Sequence, residues 1–330
     1  RLLRKWVTHR SPESPTMRPL SKSKLLAFRQ CPKRLWLEVR QPELRADSGP
    51  ALASFATGHQ VGDIARQLYD PQGQGTLIDP PAEGFDAACA RTQHLLANSR
   101  QPIFEAGFRA GGGLAFADVL LPTADGAHTG WRMVEVKSST SVKDYHRDDA
   151  AIQAYLAREG GLALTAIALA HIDSGWIYPG HGDYRGLLCE NDLSEETFAR
   201  ADEVKDWIAE AQAVAQCDSA PVVATGAQCF HPFECGFHTH CASLEPQADH
   251  PIHWLPRPGQ MVKNHVHTHG VTELRDLPDE LLNPLQLRVK QATLSGQAFF
   301  DQAGAAQALA GYPLPAYFID FETIQFAVPI

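Results

Sequence analysis

The chain lacks a long hydrophobic run, a secretory signal and an excess of basic charge. No stretch approaches the roughly 20 apolar residues that a membrane-spanning helix requires. The most apolar segment, residues 161–172, is short and typical of a buried strand. The first 16 residues are basic and polar without an apolar segment, which argues against a secretory signal peptide. We therefore expect a cytoplasmic protein without a membrane partner.

The charge balance excludes one way of binding nucleic acid. Lysine and arginine number 29 against 38 aspartates and glutamates, a formal net charge of −9, which argues against binding driven by bulk positive charge. A metal-dependent nuclease is compatible with this charge, because a bound cation neutralises its clustered acids. The basic residues near the front form either a phosphate-contacting face or a solvated helix face; they are Arg18, Lys22, Lys24, Arg29, Lys33, Arg34 and Arg40.

Length and periodicity indicate several domains and an α/β fold. A chain of 330 residues exceeds the usual size of one domain. Residues 1–17 are expected to be a disordered or non-native leader, because a sensible domain start comes only at Met17. Hydrophobic periodicity predicts helices over 21–39, 55–69, 147–159 and 195–216, and strands near 103–109, 114–121, 131–137 and 162–172.

Two short strand-like stretches carry the strongest chemical signal. The first contains Asp118, the second contains Glu135 and Lys137, and the turn-rich segment 122–126 between them predicts a hairpin. That hairpin would bring Asp118 beside Glu135, and Lys137 would share the face of Glu135 because side chains two apart on a strand do. Carboxylates hold Mg²⁺ or Mn²⁺, and a lysine orients or deprotonates water. The alternative is a surface hairpin with solvated charges.

Cysteine spacing predicts a second metal centre. Three cysteines are regularly spaced and a fourth stands apart: Cys229, Cys235, Cys241 and Cys31. Four thiols suit an iron–sulfur cluster. Zinc is the rival, since it accepts mixed thiol and imidazole ligands and His231, His238 and His240 lie among the thiols. Disulfides are disfavoured without a secretion signal. Ordinary buried thiols are expected at Cys89, Cys189 and Cys217. The spacing leaves cluster and zinc open.

These residues together resemble the RecB-like nucleases of the PD-(D/E)xK superfamily that carry a [4Fe–4S] cluster, such as the CRISPR-associated members and the AddB nuclease domain. Four family motifs are matched in order across residues 19–244: a helical histidine, an aspartate after a glycine-rich strand start, an E-x-K pair, and a Gln/Tyr helix. Their residues here are His59, Asp118, Glu135 with Lys137, and Gln153 with Tyr155. The common family pattern is Q-x-x-x-Y, so Gln153 carries over more directly than Tyr155.

The resemblance implies a role for each residue. His59, Asp118, Glu135 and the backbone carbonyl of Val136 would ligate one Mg²⁺ or Mn²⁺. Lys137 would orient or deprotonate the attacking water, with Gln153 and Tyr155 completing the catalytic set and Glu105 supporting the ligands from behind. The four cysteines 31, 229, 235 and 241 would hold a [4Fe–4S] cluster, with structural zinc as the alternative, and would act as a clip that closes a long loop.

The last residues resemble part of a second enzyme. Residues 316–323 predict a buried strand whose Asp320 and Glu322 are similar to the first motif of DEDD-type exonucleases. The later acids of such a site are absent, so this second nuclease site is expected to be incomplete and its domain truncated. Upstream, residues 270–278 resemble the start of a helix-hairpin-helix element. The alternating histidines of 265–269 are expected on a solvated extended segment, with metal binding as the lesser interpretation.

The sequence thus predicts four parts and one principal function. They are a leader (1–17), a RecB-like nuclease with a restriction-endonuclease-like core and an iron–sulfur cap (18–245), a mostly helical linker (246–312) and the start of an RNase H-like domain (313–330). We expect a metal-dependent nuclease that hydrolyses DNA, acting on single strands or ends in repair, recombination or mobile-element defence. The alternative is a non-catalytic iron–sulfur module that binds nucleic acid or serves as a scaffold.

Overall fold

The computed structural model describes the backbone of residues 18–125, 128–312, 315 and 317–321, and their side chains except those of 50–56, 124, 125 and 128. The chain divides into two compact units between Cys241 and Ala242. The helices are α1 (Lys22–Gln30), α2 (Pro32–Arg40), α3 (Gly49–Tyr69), α4 (Pro80–Glu83), α5 (Phe85–Asn98), α6 (Asp144–Glu159), α7 (Ser194–Ala199), α8 (Ala201–Gln216), α9 (His238–Ser243), α10 (Gln260–His269), α11 (Pro284–Ser295) and α12 (Gln302–Leu309). The strands are β1 (Leu20–Ser21), β2 (Thr76–Leu77), β3 (Ile103–Ala110), β4 (Gly113–Asp125), β5 (His128–Lys137), β6 (Leu164–Ile172) and β7 (Leu188–Asp192).

The first unit is built on a mixed seven-stranded sheet of order β2-β3-β4-β5-β6-β7, with β1 pairing to the start of β4. Strands β3, β4 and β5 are antiparallel neighbours, as short connections allow. Strand β6 is parallel to β5, and the chain crosses between them through α6. The structure therefore confirms the predicted α/β class with a mixed sheet flanked by helices.

Helices cover both faces of this sheet. On one face, Ile152 of α6 and Trp207 of α8 belong to the same buried core as Met133 of β5. On the other face, Val61 and Ile64 of α3 pack beside the ends of β5 and β6. Each face of a sheet needs apolar cover, so the polar side chains of the sheet are found at the ends of the strands. The starts of α1 and α6 lie near these ends.

Two predicted helices are each broken in two. The helix predicted over 21–39 ends at Gln30 and restarts at Pro32, because Cys31 adopts an extended backbone and proline is favoured at the first helical position. Ser21 caps α1 as expected, its hydroxyl accepting the N–H of Lys24 at 3.4 Å. The helix predicted over 195–216 breaks at Arg200, which separates α7 from α8.

The second unit corrects two expectations. The histidines at 265, 267 and 269 lie in the helix α10 and not on an extended segment, because Gly270 supplies a left-handed cap only after His269. Residues 317–321 pair with no strand in the described part of the chain, and Asp320 is exposed, so the predicted buried strand does not form there. Glu322 lies outside the described residues. None of the described helices is long and apolar enough to span a membrane.

Candidate active site

The β4–β5 hairpin brings the two predicted acids together. Its register pairs Val119 with Val134, so Asp118 and Glu135 are the next facing positions. The N–H of Val136 donates to Oδ2 of Asp118 at 2.7 Å, which fixes that carboxylate against β5. The juxtaposition follows from the antiparallel register alone, as the sequence predicts.

Strand alternation then adds the lysine. Glu135 and Lys137 project to the same face, and Nζ of Lys137 lies 2.5 Å from Oε1 of Glu135. The Glu135 side chain is 1 % exposed, so this carboxylate is removed from water almost completely. Burial of an acid at this level is costly unless partners satisfy its charge, which explains why the neighbouring helices turn polar here.

Helix α6 supplies two of those partners. Gln153 and Asp149 are one turn apart and both buried. The amide nitrogen of Gln153 donates to Oε2 of Glu135 and, at 3.2 Å, to Oδ1 of Asp149. Oδ2 of Asp149 in turn accepts a hydrogen bond from Nζ of Lys137 at 2.5 Å. The amide oxygen of Gln153 is buried and has no partner among the described residues.

A second lysine comes from the start of α1. Nζ of Lys22 lies 2.8 Å from Oε1 of Glu135 and 3.1 Å from Oδ1 of Asp149. Pairing of β1 with β4 at Leu20 and Gly113 holds the beginning of α1 over the sheet and so positions this lysine. Two acids and two lysines therefore alternate around one point, named here the charge cluster: Lys22, Glu135, Lys137 and Asp149.

The acids around this point differ in how firmly they ionise. Burial, followed by the nearby carboxylates of Asp118 and Asp149, raises the pKa of Glu135 to about 7. Burial also raises the pKa of Asp118. Asp149 is equally buried, but the ammonium groups of Lys137 and Lys22 outweigh that burial and hold its pKa well below the usual range. Asp149 is thus the permanent counter-ion of the lysines. For Asp118 and Glu135 the effect of burial is larger than that of the lysines, so these two carboxylates take up a proton more readily.

Glu105 joins this region through an irregular strand. It lies in β3 opposite Asp118, between the paired positions Phe104 with Val119 and Ala106 with Ala117. Its φ of 56° is in the left-handed region that favours glycine, a strained backbone for a glutamate within a strand. Burial raises the pKa of Glu105, the charge of Lys22 opposes that rise and the charge of Glu135 adds to it. The predicted supporting acid therefore lies beside the site.

Two predicted site residues are not brought to the charge cluster. His59 is exposed on α3 and takes no part in the cluster's hydrogen bonds or ion pairs within the described chain. Tyr155 follows Gln153 by two positions, which on a helix turns its side chain to another face. Its hydroxyl would lie 3.5 Å from a Cβ added at Gly111. Burial, followed by the carboxylates of Glu159 and Asp202, raises the pKa of Tyr155.

The donor set suits a hard divalent cation in its chemistry. Oxygen ligands are those that Mg²⁺ and Mn²⁺ prefer, and one oxygen of Asp118 has no hydrogen-bond partner among the described residues. Val136, whose carbonyl is the fourth predicted ligand, lies between Glu135 and Lys137. The acids close around ammonium groups: in the described chain no three His, Cys, Asp or Glu side chains form a ready metal site. Lys22 would compete with a cation for Glu135.

The basic residues near the front of the first unit are mostly committed to internal contacts. Arg29 pairs with Asp148 at 3.2 Å and lies 3.9 Å from the ring centre of Trp207. Arg34 pairs with Glu38 at 3.0 Å. These side chains, like Lys22 in the charge cluster, stabilise the fold and are not free to bind phosphate.

The four predicted ligand cysteines line one small cavity: Cys31, Cys229, Cys235 and Cys241. Burial raises the pKa of the Cys235 thiol, and the nearby thiols of Cys229 and Cys31 contribute in the same direction. We name residues 227–241 the cysteine cap. It packs on α2 through Phe237, Trp36 and Leu37.

The cap is also tied to α1. The amide of Gln30 donates to the carbonyl oxygens of Gln228 and Phe233, both at 2.7 Å. Thiols are the ligands of a [4Fe–4S] cluster and of structural zinc, and His238 lines the same cavity, but in the described chain these side chains do not already stand in metal-binding geometry. All seven cysteines lie in the described ranges and none forms a disulfide; Cys89, Cys189 and Cys217, expected to be buried thiols, are only partly buried.

Sequence reasoning missed two members of the charge cluster. Asp149 had a local signal, since it precedes Gln153 by one helical turn and must share its face. Lys22 had none, because its approach to Glu135 depends on the pairing of β1 with β4. No known protein-family model matches the chain, and no curated protein sequence matches it either.

Proposed function

We propose that the protein is a RecB-like, Mg²⁺- or Mn²⁺-dependent nuclease that hydrolyses phosphodiester bonds in single-stranded DNA or at DNA ends. The observation that carries this proposal is the convergence of Asp118, Glu135, Lys137 and Gln153 at one strand end. Three separate elements supply them, and their motif order is that of the PD-(D/E)xK nucleases they resemble. An ordinary core would avoid a buried acid of raised pKa beside further acids.

The division of roles follows from the contacts. Asp118 and Glu135 would hold the cation, and the open oxygen of Asp118 supports this assignment. A bound Mg²⁺ or Mn²⁺ supplies Lewis acidity to the phosphate and lowers the pKa of bound water. Lys137 stays protonated in the charge cluster, because Asp149 and Glu135 outweigh its burial and raise its pKa, so it orients water or the phosphate as a cation.

Gln153 is a positioning residue in this proposal. Its amide nitrogen donates to Oε2 of Glu135, so α6 determines the orientation of that carboxylate. The unpartnered amide oxygen of Gln153 is the one further acceptor it can offer toward the site. His59 retains its proposed ligand role only if α3 turns its imidazole inward on metal binding.

The cysteine cap is proposed to hold a [4Fe–4S] cluster as a structural clip, with zinc as the alternative. The support is the common cavity of Cys31 with Cys229, Cys235 and Cys241. A metal bound by these four thiols would join Cys31, at the start of α2, to a segment about 200 residues later in the chain. Closing so long a loop lowers the entropy of the unfolded state. The cap therefore stabilises the sheet unit without contacting the proposed Mg²⁺ ligands.

One observation favours a second candidate, a non-catalytic nucleic-acid-binding module that keeps the cap. Both lysines of the charge cluster already bind Oε1 of Glu135, and His59 is outside the site. A permanently lysine-neutralised cluster would hold no cation and would serve only the fold.

The experiment that separates the two candidates is a cleavage assay. Protein purified without oxygen is incubated with labelled single-stranded DNA and Mn²⁺, alongside Lys137→Met and Asp118→Asn. Lys205→Met, an exposed lysine of α8, is the matched control. We expect cleavage by wild type and by the control, and rates about 100-fold or more lower in the two site variants. Equal rates in all four proteins would overturn the nuclease proposal.

A further inference from the structure

A cleft of about 440 Å³ opens between α1, the start of α6 and the cysteine cap. Its volume lies within the range of clefts that hold small ligands or single residues of a polymer. It is separate from the thiol cavity, because the two share no lining residue. No motif in the sequence accounts for this cleft.

Aromatic side chains dominate one end of it. The rings of Tyr145 and Phe233 meet edge to face, with centroids 4.4 Å apart and planes at 66°. Phe233 is exposed although it lies between two ligand cysteines, Cys229 and Cys235. An exposed ring held in fixed orientation by a second ring leaves a flat apolar surface on which a planar group can stack.

The charged residues of the cleft leave one uncommitted cation. Arg29 and Asp148 neutralise each other, and Asp148 also accepts Arg200 at 2.7 Å. Asp144 lies in the first turn of α6, where the helix dipole favours an acid. Lys143 is exposed, lies 6.0 Å from the ring centre of Tyr145 and makes no ion pair within the described chain.

The cleft adjoins the charge cluster. Tyr145 precedes Asp149 by one helical turn and packs against His146 at 4.3 Å between ring centres. Burial raises the pKa of Tyr145, and Lys137 and Asp149 are the charges that act on it. The first turn of α6 therefore lines the cleft while its next turn carries Asp149 of the charge cluster.

We propose that this cleft binds one nucleobase of a single-stranded nucleic acid, stacked on Phe233, with the adjoining phosphate on Lys143. The strand is single because a base in a duplex is already stacked and paired and cannot enter a cleft without being extruded. This inference rests on the proposed nuclease function and specifies its substrate. It also gives the cysteine cap a second role, since the cap presents the stacking ring.

Binding, measured without cleavage, tests the proposal. Fluorescence anisotropy with a labelled single-stranded oligonucleotide, without added divalent metal, compares wild type with Phe233→Ala. Phe230→Ala is the control: Phe230 is in the same cap, is about equally exposed, packs on His238 and does not line the cleft. Gln30 holds the carbonyl of Phe233, so the loop stays anchored after truncation. We expect about tenfold weaker binding by Phe233→Ala, from the loss of one stacked base, and unchanged binding by Phe230→Ala.

A scan with single abasic positions makes the test specific to stacking. One abasic position should weaken binding to wild type but not weaken binding to Phe233→Ala further, since both changes remove the same contact. Phe233→Tyr, which keeps a ring, should bind like wild type. Equal losses in the Phe233 and Phe230 variants, or additive losses at every abasic position, would overturn the inference. Absence of cleavage by wild type would overturn the nuclease proposal instead and leave the binding result standing.

Discussion

Nζ of Lys22 lies 2.8 Å from Oε1 of Glu135, although 113 positions separate the two residues in the chain. The contact joins the first turn of α1 to the end of the central strand β5 and places an ammonium group beside Glu135, where the proposed cation would bind. Because Lys22 also binds Asp149 at 3.1 Å, it compensates two buried acids at once. Lys22 is therefore both a stabilising charge of the fold and a competitor of the metal.

Replacing Lys22 by methionine tests both roles. Glu135 and Asp149 keep only Lys137 as a counter-charge, so we expect the free energy of unfolding to fall by about 3 kcal/mol, the low end of the range for breaking a buried pair. Mn²⁺ should then raise the melting temperature of Lys22→Met more than that of wild type, because the competing ammonium is gone. Denaturant and thermal unfolding with and without Mn²⁺ measure both effects.

The control for that prediction is Lys24→Met. Lys24 is on the same helix, and its side chain makes no ion pair within the described residues, so its stability and its response to Mn²⁺ should match those of wild type. A Lys22 variant that unfolds like Lys24→Met would show that the acids are neutral or solvated, contrary to the contacts.

The two ends of the Gln153-Ala154-Tyr155 segment should behave differently in the cleavage assay. Gln153→Met removes the donor that fixes Oε2 of Glu135, and misplacing that carboxylate should lower kcat/KM by about tenfold or more. Tyr155→Phe removes a hydroxyl that faces Gly111 instead of the charge cluster, so its kcat/KM should stay within about twofold of wild type. The same loss in both variants would contradict the observed orientation of α6.

Local sequence rules suffice for much of this site. The pairing of Asp118 with Glu135 needs only an antiparallel hairpin, and the approach of Lys137 needs only strand alternation. The helix break at Cys31 is likewise indicated by Pro32, which is favoured as the first residue of a new helix. The apolar pattern of 21–39 continues across the break and by itself predicts a single helix. These features depend on residues that are close in sequence, where period and turn chemistry decide the geometry.

Features that depend on tertiary packing escape such rules. Lys22 reaches Glu135 only through the short pairing of β1 with β4. The left-handed backbone of Glu105 is unfavourable for glutamate, so no propensity predicts it. The cleft beside Phe233 needs the cap to fold back on α1, which Gln30 secures.

Cysteine substitutions separate the cap from ordinary thiols. Cys31→Ala removes one sulfur from the common cavity, so bound iron or zinc should be lost and the melting temperature should fall by about 10 °C, as expected when a long-loop clip is opened. Cys189→Ala, a thiol beside His171 on the sheet, should retain full metal content and stability. Elemental analysis, visible absorbance and thermal unfolding of protein purified without oxygen give these values. Visible absorbance with stoichiometric iron assigns a cluster, and colourless protein with zinc assigns the alternative. Equal metal content in both variants would contradict the cap assignment.

His146 should make stability depend on pH. Burial, followed by the positive charge of Lys137, lowers the pKa of its imidazole to about 4, and Nδ1 accepts the N–H of Lys143 at 3.2 Å, which requires it to be unprotonated. The unfolded chain protonates near pH 6.5. Between pH 6.5 and 4 the unfolded state therefore binds the proton and the folded state does not, so this residue's contribution to the free energy of unfolding falls as pH is lowered through that range.

The variant His146→Asn isolates that contribution, because its side-chain oxygen can accept the same N–H and cannot be protonated. Glu135, with its raised pKa, works in the opposite direction over nearly the same range, but it is present in both proteins and cancels in the difference between them. The stability of wild type relative to His146→Asn should therefore decline from pH 7 to pH 4 and level off below pH 4, as followed by urea unfolding at each pH. Parallel profiles would mean that the imidazole titrates alike in the folded and unfolded chain, which a histidine buried beside the Lys137 ammonium group would not do.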